Sequence, residues 1–175
     1  MRIFIAAQLP TAINEALAQT SAMLRESVRG KYVPPDSFHL TLAFLGEIPG
    51  SRLPALHAAV EEAYAGATAC ECTLGDLGMF GRRNSATVWQ GVEGDCVTKL
   101  AKSLRASLDT YGFDYDETKF LPHVTLMRRA DLDYPFTSLP SPELASGTID
   151  TVVIYQSELD SERAHYTPLY EVYLD

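Results

Sequence analysis

The sequence predicts an α+β fold, and three observations carry that reading. Short apolar runs with strand character are interleaved with amphipathic stretches of helical period. Several of the strand-like runs alternate in polarity, as strands with one solvated face do. Two near-identical strand motifs lie about half the chain apart, so two similar half-structures are expected within one domain, residues 1–175.

The elements follow in order. Residues 2–8 are apolar almost throughout and read as a buried strand. The stretch is too short, and too soon stopped by Gln8 and Pro10, to be a targeting segment. Residues 11–28 carry Ile13, Leu17, Leu24 and Val28 on one helical stripe, with Pro10 at the entry. Val33-Pro34-Pro35-Asp36 is a stiff extended connection into a strand at 38–46, closed by Gly46. Ser51 begins a second helix, with Leu53, Leu56, Val60 and Tyr64 on one face. Residues 69–75 and 86–92 read as strands, and the Gly78, Gly81, Arg82, Arg83, Asn84 stretch between them as an exposed loop. A third helix covers 96–111, with Val97, Leu100, Leu104, Leu108 and Tyr111 in register and Gly112 as its stop. Residues 122–129 form a further strand, 130–146 a long loop, and 148–157 and 165–174 the last two strands. The polar stretch 158–164 joins these as a mobile turn.

Composition narrows the function. The net charge is −9, and it is uneven: residues 1–87 hold seven basic and eight acidic side chains, residues 88–175 seven and fifteen. A protein that wraps a long polynucleotide needs broad basic surface, so that class is excluded. Recognition of a phosphate at a strand end needs only a local cluster of donors. No apolar run is long enough to span a bilayer, so no membrane partner is expected. Three cysteines, an odd number at scattered positions, argue against a disulfide scaffold and for free thiols in the cytoplasm. No exposed apolar helix stands out, and a monomer is expected.

The chemistry lies in the repeat. Phe38-His39-Leu40-Thr41-Leu42 recurs as Pro122-His123-Val124-Thr125-Leu126. In a strand, residues i and i+2 share a face. His39 and Thr41 therefore point one way, His123 and Thr125 likewise, and the interleaved Leu and Val side chains point into a core. One His-x-Thr is an ordinary strand pair. Two copies in matched apolar contexts suggest two imidazoles converging on one cleft. Such a pair suits displacement at phosphorus, one histidine taking a proton from water and the other protonating the leaving oxygen. The threonine hydroxyls donate to the non-bridging phosphate oxygens. No metal and no cofactor are required.

These motifs resemble those of the 2H phosphoesterase superfamily, within it the LigT-like RNA 2′,3′-cyclic phosphodiesterases, also described as 2′-5′ RNA ligases. The resemblance extends to Arg2-Ile3-Phe4-Ile5-Ala6 with Leu9-Pro10, to Val88-Trp89-Gln90-Gly91-Val92, to Phe120-Leu121 and Met127-Arg128 around the second motif, and to Tyr166-Thr167-Pro168-Leu169. It implies a bilobal fold with pseudo-two-fold symmetry, two antiparallel sheets lining a cleft and helices outside. It implies metal-independent hydrolysis of RNA or nucleotide 2′,3′-cyclic phosphate ends to 2′-phosphomonoesters. By the same resemblance His39 is the proton donor, His123 the acceptor, and Arg128 a phosphate ligand. Strand parity is awkward for Arg128: it should face away from the cleft unless the strand bulges, whereas Arg129 has the matching parity. Tyr32 stands where relatives carry tryptophan, and both base stacking and core packing suit it.

Other candidates are weaker. His57 and His165 read as surface residues without metal-ligand spacing. Cys70, Cys72 and Cys96 read as inert, semi-buried thiols. Arg82-Arg83 suit either phosphate steering or plain solvation, and Asp114-Tyr115-Asp116-Glu117 lacks a calcium-loop pattern. The competing function class is a binding module that holds a nucleotide or RNA end without turnover.

Overall fold

The computed structural model describes residues 1–132 and 135–175; residues 133 and 134, within the predicted 130–146 loop, lie outside the described residues. The strands are β1 (Arg2–Ala7), β2 (Arg29–Tyr32), β3 (Leu40–Glu47), β4 (Cys70–Arg82), β5 (Ser85–Glu93), β6 (His123–Asp131), β7 (Ser146–Ile149), β8 (Thr151–Leu159) and β9 (Ala164–Tyr173). The helices are α1 (Thr11–Arg25), α2 (Leu53–Tyr64) and α3 (Asp95–Thr110). Strands pair antiparallel in two sheets, β3-β1-β8-β9 and β2-β6-β5-β4-β7. Each sheet carries one His-x-Thr motif.

One contiguous apolar cluster joins both sheets to the helices. Ile3 and Ile5 of β1, Leu40 and Leu42 of β3, Val88 of β5, Val124 and Leu126 of β6 all belong to it. The helices supply Leu17 and Leu24, Leu56 and Val60, Leu104 and Leu108, the stripes that the 3.6-residue period selects. The alternation in the motifs is what anchors them: Leu40, Leu42, Val124 and Leu126 are fully buried, so His39 and Thr41, and His123 and Thr125, point away from that core on the opposite face of their strands.

Several boundaries differ from the sequence expectation, each for a local reason. α1 ends at Arg25 because Ser27 and Val28 both return their N–H to Leu24 O, closing the helix and releasing β2 to pair with β6. That short strand, too polar to show strand periodicity, was not expected. The predicted loop around Gly78 to Asn84 is instead the far end of the β4–β5 hairpin. Its ladder continues to Arg82 opposite Ser85, leaving only Arg83 and Asn84 in the turn. The predicted strand 148–157 is two strands in different sheets. The chain crosses from β7 to β8 at Asp150, whose carbonyl accepts the N–H of Leu174.

The cysteine expectation is corrected. Cys70 and Cys96 are disulfide-bonded, with their Cα atoms 5.6 Å apart, tying β4 to the first turn of α3. An odd count still permits one bridge, and the packing of α3 against β4 brings these two together. Cys72 alone is free, and it is buried. The cytoplasmic expectation drew on free thiols, and this bond removes that support. Among the described residues, no helix is long and apolar enough to cross a membrane.

Candidate active site

His39 immediately precedes β3, an edge strand, and His123 opens β6, an interior strand of the other sheet. The His39 Nδ1 lies 2.8 Å from Ser37 O, and the His123 Nδ1 lies 2.6 Å from Leu121 O. A carbonyl oxygen only accepts, so each Nδ1 carries the proton and donates it. Each neutral imidazole is thereby set in the tautomer with Nε2 unprotonated and available for chemistry.

Aromatic rings hold both imidazoles in place. Phe4 and Tyr166 pack on His39 at centroid distances of 4.9 and 5.0 Å, Tyr166 edge-on. Phe80 and Trp89 pack on His123 at 5.2 and 5.6 Å, Phe80 edge-on. Phe4, Trp89 and Tyr166 lie in segments that show the family resemblance, but their contact with the histidines depends on pairing between distant strands. Phe80 was missed because its segment reads as a loop.

Besides a cavity of about 310 Å³ lined by His39, Asp36, Arg163 and His165, two cavities that meet at Thr41 flank the motifs. One, of about 350 Å³, is lined by His39, Thr41, Tyr32 and Arg128 among others. The second, of about 260 Å³, is lined by His123, Phe80, Phe120 and Lys119. They share Thr41 and Phe44, which places both histidines along one continuous cleft. Thr125 is half-buried on the His123 face of β6, opposite Trp89.

The parity problem at Arg128 is resolved by a bulge. β5 pairs Trp89 with Thr125 and Val88 with Met127, so Leu126 is one residue too many on β6. Leu126 and Met127 are both fully buried as a result, and the alternation slips by one. Arg128 then emerges into the cavity beside His39. Arg129 adopts φ 54°, and it lines the same cavity. Tyr32 also lines it while packing on the core, its hydroxyl donating to Val28 O.

Electrostatics separate the two histidines. The His39 pKa is lowered: burial disfavours the imidazolium most, the Ser37 hydrogen bond opposes this, and the positive charge of Arg128, and of His123 whenever it carries a second proton, adds to the lowering. In the free site His39 is therefore held neutral.

The other sequence candidates fall outside the cleft or beside it. His57 is not simply exposed: it stacks on Tyr170 at 4.2 Å between α2 and β9, with its Nε2 buried and unpartnered. His165 hydrogen-bonds Asp160 in the β8–β9 turn. Among the described residues no group of three His, Cys, Asp or Glu side chains is placed to hold a metal.

Two anchored imidazoles facing one cleft from two related sheets, each with a threonine two positions on, define a phosphoesterase of the two-histidine class. The chain belongs to the 2′-5′ RNA ligase superfamily, whose family model matches residues 9–160. It is 33% identical to the RNA 2′,3′-cyclic phosphodiesterase of Escherichia coli, over 96% of this chain and 93% of that protein. It is 28% identical to the enzyme of the same name from Thermotoga maritima, over 98% and 94%. A relative of that name from Geobacillus stearothermophilus is 28% identical over 96% of this chain, which spans only 54% of that longer protein. Among solved structures, a Thermus thermophilus protein superposes with TM-score 0.83 at 29% identity, covering 99% of this chain and 98% of its own. Escherichia coli LigT complexed with 3′-AMP superposes at 0.80 and 29%, covering 99% and 97%.

Proposed function

We propose that this chain hydrolyses 2′,3′-cyclic phosphate ends of RNA to 2′-phosphomonoesters, using His39 and His123 as acid and base. The observation that supports this most is the matched pair of Nδ1 hydrogen bonds, which leaves both Nε2 atoms free along one cleft. The relatives named above carry that activity in their names.

In the proposed step, His123 Nε2 takes a proton from the attacking water as its oxygen bonds to phosphorus. The P–O3′ bond breaks, and Nε2–H of protonated His39 gives its proton to O3′. Thr41 and Thr125 donate hydroxyl hydrogen bonds to the non-bridging oxygens, and Arg128 offsets their charge. The assignment of donor and acceptor follows the family. It requires His39 to gain a proton that burial disfavours in the free site, and the negative charge of the bound phosphodiester supplies the compensating attraction. A ribose 5′-hydroxyl in place of water would attack the same phosphorus, lose its proton to His123 and, as P–O3′ breaks and O3′ takes the His39 proton, form a 2′-5′ link.

The test is hydrolysis of 2′,3′-cyclic AMP and a short cyclic-ended RNA from about pH 5 to 9, with EDTA, resolving 2′- from 3′-phosphate. EDTA-resistant turnover to 2′-phosphate is expected. Formation of 3′-phosphate would reverse the substrate in the cleft. Tight nucleotide binding without turnover would instead favour a binding module. We take the working unit as a monomer in the cytoplasm, and sedimentation and cell fractionation test those two points.

A further inference from the structure

Five cations line the cavity beside His39: Arg2, Lys31, Arg128, Arg129 and Arg163. No carboxylate among the described residues lines it; Asp36 lines the adjoining cavity, which shares His39 and Arg163 with this one. Among the described residues, none of the five side chains is ion-paired. The remaining nine basic residues of the chain stand against 23 acidic ones, so the patch is a local reversal on an otherwise acidic protein.

The backbone is arranged to build it, at a cost. Lys31 sits directly opposite Arg128 across the β2–β6 ladder, a like-charge pairing that destabilises a sheet. Consecutive strand residues normally point to opposite faces, yet Arg128 and Arg129 share this cavity. The bulge at Leu126 and the left-handed φ of 54° at Arg129 accomplish that. Arg163 is held by its turn: Asp160 Oδ1 accepts the N–H groups of Glu162 and Arg163 at 2.7 and 2.8 Å, and Asp160 also binds His165. The turn expected to be mobile is thus tied down, with a cation over the cavity.

One scissile phosphate carries one negative charge and is met by Arg128 and the threonines. Four further cations exceed what it needs. Tyr32, Phe44 and Tyr166 add aromatic surface to the same walls, which suits a stacked base. We propose that this cavity is a subsite for the phosphodiester and nucleotide next to the cyclic end. The enzyme then acts on oligonucleotide ends in preference to single cyclic nucleotides. The inference rests on the proposed phosphodiesterase reading. Because the surface beyond the patch is acidic, the footprint is short: the gain stops after the first one or two added nucleotides.

The experiment compares kcat/KM for 2′,3′-cyclic AMP with cyclic-ended adenylates of two, three and six nucleotides. A rise of about tenfold or more to the dimer or trimer, then a plateau, is expected. Lys31→Gln and Arg163→Gln should each lower the trimer value roughly three- to tenfold, through KM, with kcat on cyclic AMP retained. Each should make the salt dependence of the trimer value shallower by about 0.7 in log–log slope. Lys99→Gln, on exposed α3 surface with the same charge change, should alter neither substrate, and Lys31→Arg should restore the trimer value. Equal kcat/KM for monomer and trimer, a gain that continues to the hexamer, or equal losses on both substrates would overturn the subsite while leaving the phosphodiesterase reading intact. No turnover of any substrate would overturn both.

Discussion

His39 and His123 make the same hydrogen bond, each donating Nδ1–H to the carbonyl of the residue two positions earlier, Ser37 and Leu121. Removing either imidazole removes one proton transfer and leaves the fold's apolar anchors untouched. His39→Ala and His123→Ala are each expected to lower kcat on a cyclic-ended RNA by about 10²–10⁴-fold, with small changes in KM. Steady-state kinetics on purified variants checks this, and a near-wild-type rate in either would remove that histidine from the mechanism.

The two losses should differ with the leaving group. A general acid matters little when the departing oxygen is already a good leaving group. On an aryl phosphodiester such as a nitrophenyl ester, His39→Ala is expected to lose less than about tenfold, while His123→Ala keeps its full loss. The opposite ranking would exchange the two roles, and it would fit the electrostatics that hold His39 neutral in the free site.

The alternation of the two motifs was legible because period-2 burial depends only on neighbouring residues. Leu40, Leu42, Val124 and Leu126 are buried as the pattern requires. What could not be read was set by pairing between distant strands. The bulge that turns Arg128 into the cleft is a register mismatch of β6 against β5. β2 exists as a strand because β6 offers it a partner, and its residues Arg29–Tyr32 carry no apolar alternation of their own. The glycine-rich stretch at 78–81 mimics a loop signal, yet Gly78 is there because the Trp89 ring lies across it. The Cys70–Cys96 bond likewise reflects the seating of α3, which no spacing rule encodes.

The depressed His39 pKa has a consequence for stability. In the unfolded chain His39 takes up a proton near pH 6.5, whereas in the folded protein burial delays that uptake to lower pH. Below 6.5 the unfolded chain therefore binds more protons, and stability rises with pH through that window to reach its full value above it. Acidification from pH 7.5 to about 5.5 should lower Tm, and His39→Asn should flatten that part of the curve. Calorimetry of both proteins across the range decides it; an identical slope in the variant would falsify a His39 origin.

Gly78 leaves room for the indole that packs on His123. A Cβ at position 78 would overlap the six-membered ring of Trp89, which pairs with it across the hairpin. Gly78→Ala should displace that ring, loosen His123 and reduce kcat by about tenfold or more. Trp89 is the chain's only tryptophan, so its fluorescence reports the displacement directly. Combining Gly78→Ala with the smaller Trp89→Phe should recover part of the lost rate. If Gly78→Ala shifts the emission without lowering kcat, the indole does not position His123.

The disulfide makes a prediction in two readouts. Protein prepared without reductant and then unfolded should show one reactive thiol, Cys72, and after reduction three. In the folded state Cys72 should react slowly, since burial pushes its pKa up to about 11 and hides it from reagent. The bond closes a loop of sequence separation 26, and the chain-entropy argument assigns such a loop about 3 kcal/mol. For a chain of this size that corresponds to a fall in Tm of roughly 6–12 °C on reduction. Cys70→Ser should show the same fall without reductant, and reduction should then cause no further change. Three reactive thiols in the unreduced, unfolded protein would mean that Cys70 and Cys96 are not joined, and the stability difference should then be absent as well.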